Sequence, residues 1–370
     1  MSDVSNGDER IKETSKFRQA LMRPELGGMV GTVAVFVFFG LFAFDSGMFN
    51  SQGVMNWSVV SAQFMIIAVG ACLLMIAGEF DLSVGSMIGF AGMMIAIFGV
   101  TLGWPMWIAI LITFVICVAF GALNGYIVVK TGLPSFIVTL ATLFILRGFT
   151  IFIPQTLERK TIIGGIREAA EGDWLAPIFG AEIGGPIFVW LGDRGIINVF
   201  ERGNRAGEPV VNGIPMLIVW ALGLVIVGHF ILTRTRFGNW IYAAGGDADA
   251  ARNAGVPVNS VKIRMFMFTA FCATVFAVCQ VMEFGSAGAD RGILKEFEAI
   301  IAVVIGGALL TGGYGSVIGA ALGALIFGVV QQGLFFANVE SSLFRVFLGV
   351  ILLAAVILNT YIRRTITGER

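Results

Sequence analysis

Charged side chains are scarce in this chain. Asp, Glu, Lys and Arg make up 13% of the 370 residues, about half the share of a typical soluble domain. There is one histidine, and the four cysteines are Cys72, Cys117, Cys272 and Cys279. Each cysteine falls inside an apolar run, so they read as small buried hydrophobes rather than a disulfide framework or a Cys/His metal cluster. No GxxxxGK[ST] loop occurs, which excludes P-loop binding of ATP by this chain. HExxH and GxSxG are also missing, and so few His and Cys leave little from which to build a nucleophile with its base. No catalytic residues, cofactor or metal are therefore expected. The charges cancel, 24 basic against 24 acidic. The basic ones sit in loops and form no patch, so nothing points to nucleic acid.

What the chain has in abundance is hydrophobicity, 57% of residues with a mean hydropathy of +0.89. The apolar residues come in runs near 20 long, enough to cross the roughly 30 Å hydrocarbon core as helices. In lipid every backbone polar group must be satisfied inside such a helix. The expectation is an all-α integral membrane protein of about ten spans. They are read at 27–45, 56–77, 83–100, 105–129, 135–153, 214–232, 262–283, 296–310, 315–336 and 343–361, the eighth being short and open to a partly re-entrant reading. Residues 1–26 form a polar tail, 27–362 the membrane domain and 363–370 a second tail. The first run lacks a small-residue cleavage site and reads as an uncleaved span.

Basic residues set the orientation. Arg10, Lys12, Lys16, Arg18 and Arg23 precede the first span, and the segment between the sixth and seventh spans carries Arg234, Arg236, Arg252, Lys262 and Arg264. Arg363, Arg364 and Arg370 close the chain. Both tails and the 233–261 loop are thus expected in the cytoplasm. The 154–213 loop then lies outside, with six basic and eight acidic residues. Its Gly and Pro content, Pro154 included, predicts a compact loop and not a separate domain. Glycines recur at four-residue spacing (Gly315, Gly319, Gly323 and Gly121, Gly125), the pattern that lets membrane helices approach closely. Gly306, Gly307, Gly312 and Gly313, just upstream, read as packing positions as well.

Arg236–Val258 reads RFGNWIYAAGGDADAARNAGVPV. Asp247 suits an N-cap, Ala248–Ala254 about two helical turns, Gly255 the C′ position, and Pro257 follows. By the residues alone this is either an ordinary connector or a capped surface helix that fits a partner's groove. AGEFDLSVGS (77–86) places Glu79, Asp81 and Ser83 at the break between two spans. Buried carboxylates in lipid face water, a cavity or a partner, or Asp81 caps the next helix. Arg147 lies two-thirds along the fifth span, and Glu296 and Glu298 open the eighth, where a helix N-terminus favours acids.

These segments, in this order, resemble the permease subunits of ribose/xylose-type bacterial sugar ABC importers. Ala244, Gly245, Gly246, Asp247, Ala250, Ala251 and Gly255 follow that family's "AxGGNxxAAxxxGI", with Asp247 where Asn is usual. AGEFDLSVGS resembles "GGIDLSVGS", with Glu79 in place of a Gly. Phe297–Leu334 resembles the family's glycine-rich "VVIGGTSLSGGxGS" region, and Arg147–Gly148 its "RG" pair. The resemblance implies that Gly245, Gly246, Asp247, Ala250, Ala251 and Gly255 belong to a coupling helix for a separate ABC ATPase subunit. It further implies a second permease copy, identical or a paralogue, and a periplasmic sugar-binding protein, which the outside loop suits as a docking place. The substrate is a monosaccharide (pentose, hexose or polyol), the location is the inner membrane, and Glu79, Asp81, Ser83, Arg147, Glu296 and Glu298 are candidates for the translocation path or gate. A permease for nucleosides or a related polar solute is the alternative. An ion-coupled secondary transporter would need intramembrane charges that the chain supplies thinly.

Overall fold

A computed structural model of the chain describes residues 25–200 and 205–340, with scattered positions between 343 and 357. Among these residues, eight helices are long and apolar enough to cross a bilayer. In chain order the first five are α1 (Glu25–Phe42), α2 (Ser51–Ile76), α3 (Val84–Ala96, continued by a π-helical turn at Ile97–Thr101), α4 (Met106–Thr131) and α5 (Ser135–Glu158). A long connector follows, holding β1 (Ile162–Gly164), α6 (Ile166–Ala169), α7 (Pro177–Gly180), β2 (Glu182–Ile183), α8 (Gly185–Asp193) and β3 (Ile214–Pro215). Next come α9 (Met216–Arg234), the short helices α10 (Arg236–Gly246) and α11 (Ala248–Asn253), and α12 (Val258–Phe284). β4 (Ser286–Gly288), α13 (Lys295–Ile305) and α14 (Val317–Phe336) complete the series.

Eight expected spans are met, with ends displaced by a few residues. The second span starts earlier because Asn50 caps it, its Oδ1 accepting from the Gly53 amide at 2.7 Å. The eighth differs in kind. α13 has 11 residues, and at 1.5 Å per residue it covers about half of the hydrocarbon core. The chain then runs without helix to Ser316. Pro154, expected in the loop, lies inside α5. The tenth expected span, 343–361, falls largely outside the described residues, as do positions 1–24 and the tail 363–370.

The core is built from helices that are apolar on all sides. The spanning stretches of α2, α3 and α12 are 78%, 83% and 83% buried, against 11% for α1. α12 packs between α2, α3 and α4, while α14 lies against α2 and α1. Glycine permits the closest crossings. A methyl group at Gly121 would sit 2.7 Å from the Phe266 carbonyl oxygen, and one at Gly125 would sit 2.7 Å from the Ile263 Cα. One at Gly323 would collide with the Ala302 carbonyl, and one at Gly306 with that of Gly319. Gly306 and Gly323 thus lie at close backbone crossings, the first of them against the carbonyl of Gly319. Gly315 is not on their helix, since α14 begins at Val317. Gly307, Gly312 and Gly313 have φ of 91°, 82° and 72°, so they turn the chain rather than stripe a helix.

The connector is tied to the bundle at several points. β1 pairs antiparallel with β4, which follows α12, while β2 pairs with β3 inside the connector itself. Asp173 accepts from the Trp107 amide at 2.9 Å, capping α4 from a distance, and also from the Leu175 and Ala176 amides. The connector is thus a lid on one end of the bundle, and the short helices α10 and α11 lie at the other.

The glycine crossings can be tested by thermal unfolding in detergent. Gly323→Ala forces a methyl into a backbone carbonyl and is expected to lower the midpoint by several degrees. Gly223→Ala, at a helical site with open space around it, is expected to leave the midpoint unchanged or slightly raised.

Candidate functional site at the helix breaks

The short helices are stopped and started by side chains. The Thr235 hydroxyl accepts from the Gly238 amide at 3.1 Å and so caps α10. Asp247 caps α11, its Oδ1 accepting from Asp249 and Ala250 amides at 3.0 and 2.9 Å. Gly255 takes φ of 83°. Its amide donates to the Arg252 carbonyl and that of Val256 to the Ala251 carbonyl, both at 3.0 Å, the hydrogen-bond pair of a Schellman stop. Gly246, Asp247, Asp249, Ala250 and Asn253 are exposed, while Ala251 and Ala244 are buried toward the bundle. Ala251 therefore anchors the helix and Ala250 belongs to its outward surface.

Beneath α10, three stretches of chain meet backbone to backbone. A methyl at Gly245 would collide with the Ile76 carbonyl and lie 2.8 Å from the Gly313 nitrogen. One at Gly312 would lie 2.8 Å from the Gly245 oxygen and from the Gly78 Cα, and one at Gly313 would lie 2.8 Å from the Gly246 Cα. The Gly313 amide donates to the Ile76 carbonyl at 2.9 Å, and the Tyr242 hydroxyl donates to the Gly315 carbonyl at 2.8 Å. The end of α10 is thus keyed to the α2–α3 break and to the non-helical segment that follows α13.

The α2–α3 break, residues 77–83, must satisfy amides that no helix serves. α5 does this with hydroxyls on one face. Ser135 accepts from the Phe80 amide and Thr139 from the Leu82 amide, each at 3.0 Å. Thr142 donates to Asn124 Oδ1 at 2.6 Å, and Asn124 Nδ2 donates to the Ser83 hydroxyl at 3.2 Å. Ser83 donates its hydroxyl and its amide to Asp81 Oδ1. Burial pushes the Asp81 carboxyl, in this connector between spans, up to about 6, although both Ser83 hydrogen bonds pull it down. Asp81 thus braces the start of α3. Glu79 pairs with Lys262 in the first turns of α12, and both side chains are largely buried.

The remaining candidates gather where the chain before α13 meets α3. Arg147 Nη1 donates to the carbonyls of Ala289 and Arg291, at 3.1 Å each, so it holds a loop in place. Glu296 is buried, with its carboxylate against Gly85 at the start of α3. Its Oε2 has no hydrogen-bond partner among the described residues, and neither does the Ser86 hydroxyl. Glu298 pairs with Lys295 at 2.6 Å, whose ammonium lies 4.5 Å from the Phe64 ring centre. The structure therefore brings Asp81 and Ser83 together, and Glu296 near Arg147, while Glu298 is engaged within its own helix. Lys262, Asn124, Tyr242 and the hydroxyls of Ser135, Thr139 and Thr142 are site members that sequence reasoning missed. The spacing 135, 139, 142 on one face of an apolar helix was the available signal.

Residues 53–356 match the family described as branched-chain amino acid transport system / permease component. The xylose transport system permease protein XylH of Escherichia coli (strain K12) is 31% identical over 91% of this chain and 92% of its own length. Its counterpart of the same name in Haemophilus influenzae is 30% identical over 90% and 95%. The ribose import permease protein RbsC of Escherichia coli (strain K12) is 31% identical over 80% and 81%. The chain belongs to the ribose/xylose-type sugar permeases of ABC transporters. No solved structure matches it. The permease is accordingly a multi-pass protein of the bacterial inner membrane, and its relatives are permease components, not enzymes.

Membership gives the departures a physical meaning. Glu79 stands where the family motif carries Gly, and this permease supplies Lys262 to meet it. Breaking a buried pair leaves one uncompensated charge, whereas removing both charges is far milder. Glu79→Gln and Lys262→Met singly are expected to cost about 3 kcal/mol each, and the double variant distinctly less than their sum. Urea or thermal unfolding of the purified permease in detergent reads the cycle, and additive losses would show that the pair contributes no coupling.

Proposed function

We propose that this chain is the membrane-spanning subunit of a binding-protein-dependent importer. It passes a monosaccharide of the pentose, hexose or polyol class, and ATP hydrolysed on a separate subunit drives the transfer. Relatives named for xylose and ribose support the substrate class. The observation that carries the mechanism is the keyed contact of α10 with both interrupted elements. An ATPase subunit docks on the outward surface of α11, made of Gly246, Asp247, Ala250 and Asn253. Gly255 and the buried Ala251 hold that helix in shape. Gly245 and Tyr242 carry its displacement into the α2–α3 break and the segment after α13.

Within this reading Glu79, Asp81 and Ser83 set the gate near the ATPase, and Arg147, Glu296 and Glu298 the half further along the path. Two copies of the chain form the pathway between them. The end bearing α10 and α11 faces the cytoplasm, in accord with its basic residues, and the sugar-binding protein delivers from the connector end.

Two variants separate docking from transmission. Gly255→Pro combined with Ala250→Arg is expected to abolish co-purification of the ATPase subunit while the permease stays folded. Gly245→Ala is expected to keep the ATPase bound and hydrolysing, yet to bring sugar uptake into proteoliposomes down to background. Unchanged co-purification in the first would move the docking surface elsewhere. Unchanged uptake in the second would remove the glycine contact from the transmission route.

A further inference from the structure

α8 presents an apolar surface that the bundle does not use. One side of this helix packs on the connector, where Gly192 lies against Val199 and Pro209. The other side carries Ile187, Val189 and Trp190, which are 61%, 49% and 48% exposed. Ile183 and Ile196 flank it and are open as well. Leaving such area in water forgoes about 25 cal/mol per Å², so the position of α8 relative to the bilayer decides what covers it.

Both ends of α8 are fastened at the level where spanning helices begin. On the upstream side, β2 pairs with β3 through Ile183 and Ile214, and the amide of Met216, the first residue of α9, donates to the Ala181 carbonyl at 2.9 Å. On the downstream side, the Asn198 amide donates to the hydroxyl of Ser51, the first residue of α2, at 3.3 Å. α8 is thus strung between the starting residues of two spans. Trp107 and Trp220 lie in the opening turns of α4 and α9 at this same end, where tryptophan favours the membrane–water boundary. The Arg194 guanidinium stacks over Trp190, 4.2 Å from its ring centre. Asp193, the last residue of α8, is exposed on this side beside Arg194. The face is thus apolar over its first two turns and ends in an aromatic and a pair of charges, which suits a helix lying in a bilayer surface with its end at headgroup level.

We propose that α8 is an interfacial helix seated on the leaflet at the connector end, with Ile187, Val189 and Trp190 among the acyl chains and Arg194 at phosphate level. The connector then rests on lipid through this face and keeps its polar positions, such as Glu208, for water.

Site-directed spin labelling tests this directly. The four native cysteines are buried, so labels on Ile187→Cys, Val189→Cys and, as control, Glu208→Cys report without interference. The full chain is reconstituted in phosphatidylethanolamine/phosphatidylglycerol vesicles, and collision with oxygen is compared with collision with a nickel chelate. Labels at 187 and 189 are expected to favour oxygen several-fold, and the label at 208 to favour nickel. Nickel access at 187 and 189 equal to that at 208 would overturn the proposal by placing the helix in water. Protection from both reagents with spin–spin broadening would overturn it in favour of a second copy of the chain. Two label positions keep the result independent of how either substitution folds.

Discussion

A helix that stops in the interior of a protein leaves amides and carbonyls that water does not reach, and each must find a partner within the protein. This permease interrupts its helices at residues 77–83 and again before and after α13, and the rest of the structure is arranged around satisfying those interruptions. α5 lends hydroxyls to the first and a guanidinium to the second. Elsewhere the chain closes on itself at glycines, where carbonyls and amides meet with no side chain between them. These are the places where a membrane protein can keep irregular backbone without lipid contact.

The architecture was legible in the sequence to the extent that it follows from hydrophobic length. Eight spans, the cap at Asp247 and the stop at Gly255 could be read because each rests on local chemistry. The eighth expected span, short and open to a partly re-entrant reading, is an 11-residue helix followed by irregular backbone for a physical reason: an apolar stretch says that a segment is buried, and glycine-rich irregular backbone can be buried too. The same ambiguity put Gly315 on a helix stripe with Gly319 and Gly323, and it hid that Gly307, Gly312 and Gly313 sit in turns, where Gly312 and Gly313 pack backbone to backbone against Gly78, Gly245 and Gly246. Ala251 was readable as part of the surface helix, but which side of a two-turn helix faces the membrane is set by tertiary contacts.

The candidate site was less legible because its members are spread over six helices. Glu79 stood out as a departure, yet nothing local pointed to Lys262, which lies 183 positions further on. Arg147 suggested a path or an ion pair, and the structure gives it two backbone carbonyls. Asn124, Thr139 and Thr142 look unremarkable in apolar runs; only the register of α4 against α5 turns Thr142 and Asn124 into a continuous chain of hydrogen bonds with Ser83 and Asp81, and sets Thr139 under the Leu82 amide.

Both groups of supports hang on a single helix. Ser135 and Thr139 of α5 hold one break and Arg147 of the same helix holds the loop before α13. In kinematic terms α5 is the chassis on which both the break and the loop are mounted, two pieces of irregular backbone that also touch each other where Gly292 meets Gly85. Any change of shape that separates these parts has to release one mounting, and any change that preserves the mountings has to carry α5 along as a rigid lever. A displacement of either piece is thereby limited to few degrees of freedom, and the single neutral hydrogen bonds at Ser135 and Thr139 are weaker fasteners than the charge-assisted pair made by Arg147.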